Sequence, residues 1–540
     1  MTTLVSTTDT LTRDALAVLQ PGFVGTTAPD WLLRAIGDGL TSVGLFGRNV
    51  ADPEQLAALT RRLRRERDDI LVAIDEEGGD VTRLEVRHGS SFPGNYALGA
   101  VDDPDLTRDV ARELGRRLAA CGVNLNWAPS ADVNSNPDNP VIGVRSFGAD
   151  PELAARHTAA YVEGLQAAGV AACVKHFPGH GDTAVDSHHA LPRIDVDLDT
   201  LHARELLPFR AAIAAGSRSV MSAHILLPAL DPERPATLSP RILTGLLREE
   251  LGFQGPIVTD GMEMRAIASV YGIERGSVLA IAAGADAICV GGGLADEGTV
   301  LRLRDALVAA VRSGELPEER LADAAARVRA LADWTLRAGV SPEAGAPGAA
   351  TQEGTAPGAG PTAPGGGSAT SGAAPGVVPT PDIGLLAARR ALRVTGTATP
   401  LTRAPYVAVL TPVANIAVGE ETPWGLATEL NHLLPGTESA TYAEAPSEDT
   451  TPTPTPTPDP ATRILTAAGD RTTVAVVRDA HRHPWMRATL DALLTARPDT
   501  LVVEMGLNEA PPRGALHIAT HGAARVCAQA AAEVLAGRVR

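Results

Sequence analysis

Lysine is nearly missing from this chain. All but one of its 47 basic residues are arginine, and the exception is Lys175. Keeping a compact ammonium at one position, where every other cation is a planar guanidinium, points to a local need for that geometry. Cysteine is scarce as well. Cys121, Cys173, Cys289 and Cys527 are far apart and form no CxxC pair, which argues against a zinc knuckle or a disulfide frame. Four reduced thiols, buried as small hydrophobes, are expected instead. No run of about 18 apolar residues occurs, so nothing reads as a membrane span. The first twenty residues lack a basic start, an apolar stretch and a small-residue cleavage site, so a cytoplasmic protein is expected. A net charge of −17 spread along the chain excludes an electrostatic nucleic-acid binder. No GxGxxG or GxxxxGKS/T loop follows an apolar strand, so no nucleotide cofactor is expected.

What is present divides the chain. At 540 residues it exceeds what one core ordinarily holds. Residues 341–382 are almost entirely Ala, Gly, Pro, Ser and Thr and read as a flexible linker. The expected parts are a large unit over 1–340 and a smaller α/β sandwich over 383–540. Within the latter, TPTPTPTPDP (451–460) reads as a polyproline-II insertion. Its apolar runs YVAVLTP, TTVAVVRD and TLVVEMG predict parallel strands followed by Ala-rich helices.

In the first unit short apolar runs alternate with amphipathic helical stretches. The runs are SVGLFG (42–47), ILVAI (70–74), VNLNW (123–127), VAACV (170–174), SVMSA (219–223), PIVT (256–259) and DAICVG (286–291). An eighth is expected at GFVG (22–25). Strands apolar on both faces, alternating with helices such as PEQLAALTRRLRRERDD, argue for a helix-covered parallel sheet. Eight of them favour a (β/α)8 barrel of the TIM type over an open doubly wound sheet.

Polar groups arrive where these runs end. ILVAI leads into Asp75, with Glu77 and Arg83 behind; VAACV leads into Lys175 and His176, SVMSA into His224, PIVT into Asp260. One such residue could be a helix cap. Four at the carboxyl rim of a barrel, where such folds build their sites, make a site. The segment KHFPGHGDTAVDSHHALP (175–192) gathers one lysine, four histidines and two aspartates in a Gly/Pro-rich loop. A metal site, a solvated loop and an acid/base site all remain open readings. The third is favoured, because Asp186 can orient the His188 imidazole for proton exchange near neutral pH while Asp260 serves as nucleophile. His180 and His189 read as loop-packing or outer-subsite residues. His224 reads equally as pocket lining or core, as do Trp127 and Phe177.

The first unit, over roughly 15–340, resembles glycoside hydrolase family 3, in its β-N-acetylglucosaminidase branch. The resemblance is carried by LFGRN, AIDEEGGDVTRL, FPGNYALGA, NWAPSADVN, NPVIGVRSFG, KHFPGHGDTAVDSHHALP, MSAHI and IVTDGMEM. It implies a retaining exo-hydrolase that removes terminal β-linked N-acetylglucosamine through a glycosyl-enzyme intermediate. Asp260 would be the nucleophile, and His188 paired with Asp186 the acid/base, where most retaining glycosidases use a second carboxylate. Asp75, Arg83, Arg145, Lys175 and His176 would hold the sugar. A monomer with a small carbohydrate substrate, without metal or organic cofactor, is implied. Phosphorolysis with the same residues and a β-glucosidase or β-xylosidase of the same family are the neighbouring readings. A metal-dependent hydrolase and a catalytically inactive scaffold are the distant ones. Gly261 stands where many relatives carry a second acidic or other residue, which bears on inference about the neighbours of Asp260 and not on Asp260 itself.

Overall fold

The computed structural model describes residues 9–185, 191–293, 296–339, 382–412, 417–419, 421–444 and 459–538. The expected linker, apart from Asp382, lies outside the described residues, as does the TP repeat up to residue 458.

Eight short strands run in parallel: β1 (Leu19–Pro21), β2 (Ser42–Leu45), β3 (Leu71–Ile74), β4 (Leu125–Asn126), β5 (Ala171–Phe177), β6 (Ser219–Ser222), β7 (Ile257–Thr259) and β8 (Ile288–Val290). Strands β2 to β7 pair in chain order, β8 pairs with β1, and a bridge from Val258 to Ala287 joins β7 to β8. With β1 packed beside β2, the sheet curls into the expected barrel. One expected strand is displaced. The eighth strand is Leu19–Pro21, three residues before GFVG, which forms the loop leaving it. Only three residues long, it follows directly on the helix Thr10–Ala17, so its leucine and valine neighbours read as that helix continuing.

Alternate side chains divide between two apolar layers, as strand geometry requires. Leu71, Ala73, Leu125, Ala171, Cys173, Met221, Ala287 and Cys289 fill the barrel interior, closed below by Val328 and Leu331 of the helix Glu318–Ala338. Val72, Ile74, Val174, Val220 and Ile288 face outward onto the helices. Several interior residues are small, which leaves room for a cavity at the carboxyl end. All four cysteines are free and buried.

Asp-Pro pairs set helix starts. Asp52, Asp103 and Asp150 each accept a backbone N–H at the first turn of a helix whose first residue is proline. Each aspartate satisfies an orphan donor, and each proline occupies a place where no N–H is needed. Two of these helices, Pro104–Ala120 and Pro151–Ala167, pack closely because Gly164 lies against the Arg108 carbonyl.

A second sheet has the order β11-β10-β12-β13-β14-β9. Its strands are β9 (Arg393–Gly396), β10 (Tyr406–Leu410), β11 (Glu438–Tyr442), β12 (Thr473–Val477), β13 (Leu501–Glu504) and β14 (Leu516–Ala519). All pairs are parallel except β14 with the edge strand β9, which departs from the all-parallel expectation. Apolar clusters cover both faces. Asp80 ties this unit to the barrel: it accepts from the Ala523 N–H at 2.7 Å and pairs with the Arg478 guanidinium.

A Cβ added at Gly164 would lie 2.1 Å from the Arg108 oxygen. Gly164→Ala is therefore expected to cost about 1–3 kcal/mol by overpacking, read as a lower denaturant midpoint at unchanged slope. An unaltered midpoint would count against this packing.

Candidate active site

Five strand ends of the barrel converge on one cavity of about 550 Å³. Phe46 and Arg48 follow β2, Asp75 and Glu77 follow β3, and Trp127 follows β4; Lys175 and His176 lie in β5, and Asp260 follows β7. The Lys175–His176 peptide is cis. Parallel strands deliver these side chains to the same rim although they lie up to 214 positions apart in the chain.

A buried lattice of charges forms the floor. The Lys175 ammonium, 2% exposed, donates to Asp75 Oδ1 at 2.6 Å and to Glu77 Oε1 at 2.7 Å. The Arg145 guanidinium grips the same Glu77 with two bonds, Nη2 to Oε1 at 2.7 Å and Nε to Oε2 at 3.0 Å. Burial alone would raise the Glu77 carboxyl, but Arg145 and Lys175 outweigh it and hold it well below the usual carboxylate range. Burial would lower the Lys175 ammonium, yet Asp75 and Glu77 raise it above its ordinary value. Glu77, Arg145 and Lys175 therefore stay charged at neutral pH. A guanidinium would not substitute at Lys175, because its donors are spread over a planar fork and cannot act as one compact point between the Asp75 and Glu77 carboxylates of the same loop.

Asp132, on the loop after β4, is the second hub. Its Oδ2 accepts from His176 Nδ1 at 2.7 Å and from the Ser130 hydroxyl at 2.8 Å. Its Oδ1 accepts from the backbone N–H of His180 at 2.7 Å. Burial favours protonation of this carboxyl too, but His176, His180 and the N–H donors keep it well below the usual range. Arg145 Nη2 lies 3.4 Å from His176 Nε2, so the network assigns the His176 proton to Nδ1. His180 is buried, neither of its ring nitrogens has a hydrogen-bond partner among the described residues, and burial, with His176 beside it, lowers its pKa to about 4.

Asp260 begins a tight turn. Its backbone N–H donates to the Ser222 carbonyl at 3.2 Å, and its Oδ1 accepts from the Gly261 N–H at 2.7 Å. His224 fastens this turn from below, with Nε2 3.0 Å from the Gly261 carbonyl and Nδ1 2.8 Å from the Thr237 hydroxyl. His224 is thus a core residue supporting the site. Glu263 Oε1 gathers the backbone N–H groups of Gly291, Gly292 and Gly293, which orders the loop after β8 beside the cavity.

The structure brings together Asp75, Arg145, Lys175, His176 and Asp260 as expected from sequence. Arg83 also lines the cavity, but its guanidinium donates to the Ala417 carbonyl at 2.7 Å and so links the barrel to the second unit. Asp186 and His188 lie outside the described residues, as does His189. Trp127 walls the cavity, whereas Phe177 is core, packed edge-on to Phe209. Glu77 and Asp132 were not singled out as site residues. Glu77 stood in the sequence two positions after Asp75, but whether it binds a ligand or two cations depends on long-range contacts. Asp132 lies inside the quoted segment NWAPSADVN, but nothing in that segment alone says that it faces two histidines.

Removing Glu77 would leave Arg145 without its carboxylate and Lys175 with one of two. Glu77→Ala is expected to destabilise the barrel by about 3–5 kcal/mol, measured by urea unfolding. Asp75→Asn, partly exposed, should cost much less stability. Equal costs would contradict the central place of Glu77.

Residues 34–331 match the family described as glycosyl hydrolase family 3 N terminal domain. A β-hexosaminidase A of Pseudoalteromonas piscicida is 38% identical over 312 residues, covering 53% of this chain; the chain spans about half of that protein, 52%. A β-hexosaminidase of Stenotrophomonas maltophilia is 37% identical over 48% of this chain and 78% of its own length. The solved structure of a family 3 β-N-acetylglucosaminidase from Paenibacillus sp. superposes with a TM-score of 0.79 at 33% identity, covering 98% of this chain and 97% of that one. The chain belongs to glycoside hydrolase family 3, in its β-N-acetylhexosaminidase branch.

Proposed function

We propose that this chain is a retaining exo-β-N-acetylglucosaminidase acting on cell-wall-derived or chitin-derived glycans. The observation that carries the reading is Asp260 at the end of β7, lining one cavity with Asp75, Lys175, Arg145 and His176. In this reading the Asp260 carboxylate attacks the anomeric carbon as the bond to the leaving oxygen breaks. His188, oriented by Asp186, gives that oxygen its proton. His188 then takes a proton from water, whose oxygen displaces Asp260 and frees the sugar. Lys175 has three donors and uses two on carboxylates, leaving one for a sugar hydroxyl. Asp75 accepts from ring hydroxyls. Residues 1–340 form the catalytic unit, 341–382 a linker, and 383–540 a domain that walls the cavity through Ala417 and Glu421.

A histidine acid/base also favours a second reading. It is neutral in the glycosyl-enzyme state and does not repel phosphate as a carboxylate would, so phosphorolysis is chemically open.

Aryl β-N-acetylglucosaminide, β-glucoside and β-xyloside, each with and without phosphate and chelator, separate the readings. Release from the acetamido sugar alone, indifferent to chelator and forming no sugar 1-phosphate, is expected. Asp260→Ala should lower kcat by a factor on the order of 10³ or more while the protein stays folded. A variant keeping a tenth of the activity would sink the nucleophile assignment.

A further inference from the structure

The second sheet has its own binding geometry. After β10 the chain leaves toward one face, where Leu426 and Leu430 pack. After β12 it leaves toward the other, where Met486 and Leu490 pack. Neighbouring strands whose connections part to opposite faces open a crevice at their carboxyl ends, the usual place for a ligand on an open α/β sheet. Such a crevice exists, with a cavity of about 820 Å³. Thr411 after β10 and Arg478 and Asp479 after β12 line it, with Trp424 on one side. Its opposite wall is the barrel loop Asn139–Arg145, and Arg145 and Gly419 border both this crevice and the catalytic cavity.

The charges of its wall are matched. Arg145 is held by Glu77, Arg478 by Asp80, and Arg482 by Asp479; Asp138 adds a further negative charge. Among the described lining residues each arginine has a carboxylate partner, so none brings an uncompensated positive charge, although Arg482 Nε keeps no hydrogen-bond partner. Trp424 brings a partly buried aromatic ring with the Arg478 guanidinium 5.9 Å from its centre, and the paired arginines and aspartates present hydrogen-bonding edges at little net charge. Matched polar edges beside an aromatic ring suit a pyranose bearing only hydroxyl and acetamido groups.

Resting on the glycosidase reading above, we infer that this crevice is where the leaving group of the substrate lies, and that it selects an uncharged sugar. The preferred substrate is then a neutral β-linked N-acetylglucosamine oligosaccharide, not a glycan whose next residue bears a carboxylate.

The test uses the full chain and three substrates: N,N′-diacetylchitobiose, the same disaccharide with a carboxylate-bearing ether on its reducing sugar, and the aryl β-N-acetylglucosaminide. Wild-type kcat/KM for the neutral disaccharide should exceed that for the acidic one by about tenfold or more, the change made by about 1.4 kcal/mol of differential binding. Trp424→Ala should lower the disaccharide-to-aryl ratio of kcat/KM by a similar factor. Asp479→Asn, which unpairs Arg482, should shift preference toward the acidic disaccharide. Equal or reversed wild-type preference overturns the inference, as does a ratio unmoved by Trp424→Ala. Should a variant fail to fold, the wild-type comparison decides alone. No release from any substrate, aryl included, overturns the glycosidase reading and this inference with it.

Discussion

Glu77 is the point on which the site depends. One carboxylate receives two cations, Lys175 from β5 and Arg145 from the loop after β4, while Lys175 also reaches Asp75. Bringing four charges out of water is expensive, and such a lattice is weak evidence for stability in itself. Its consequence is positional. Three segments that approach the barrel rim independently are locked to a common point, so each remaining donor or acceptor faces the cavity in one arrangement. Asp132 repeats the device on the other side, joining His176 and the His180 backbone. Preorganised polar groups of this kind need no rearrangement when a substrate arrives.

The second sheet completes what the barrel leaves open. Arg83 extends from the loop after β3 to the Ala417 carbonyl, and Asp80 of the same loop takes the Ala523 N–H and the Arg478 guanidinium. That short stretch therefore supplies Asp75 and Glu77 to the floor and Asp80 and Arg83 to the junction. Its dense sequence, IDEEGGDVTR, reflects both duties. Gly79 adopts φ of +64° and its Cα faces Gly94, where a side chain would collide with backbone, so the chain can turn sharply between floor and junction.

The barrel was legible because buried parallel strands are continuous apolar runs between helical stretches: six of its eight strands fall within such runs, and β5 begins in one and continues through Lys175, His176 and Phe177. The eighth escaped because β1 is three residues long and abuts a helix with the same apolar composition. In the second unit β10, β12 and β13 were visible for the same reason. The edge strands were not: β9 is exposed throughout and β11 nearly so, so neither carries an apolar run. At the site, residues that end strands announced themselves by position. Arg83 illustrates the limit. Its motif marked it as functional, but the direction of its side chain depends on Ala417, more than three hundred residues away. Asp132 sits in the motif NWAPSADVN, and only the fold places it under two histidines.

The pairing of the cations also bears on the chemistry proposed for Asp260. Departure of a leaving group from an anomeric carbon builds positive charge on the ring. An unpaired ammonium and guanidinium in a cavity of low dielectric would oppose that charge, since Coulomb energies there are several times those in water. Lys175 and Arg145 each arrive with a carboxylate in direct contact, so their fields largely cancel at the distance of the ring while their N–H groups still donate. Binding by cations and stabilisation of a cationic transition state are then compatible in one pocket. A single lysine among arginines is what that compromise requires: a donor small enough to stand between two carboxylates and still reach the ligand.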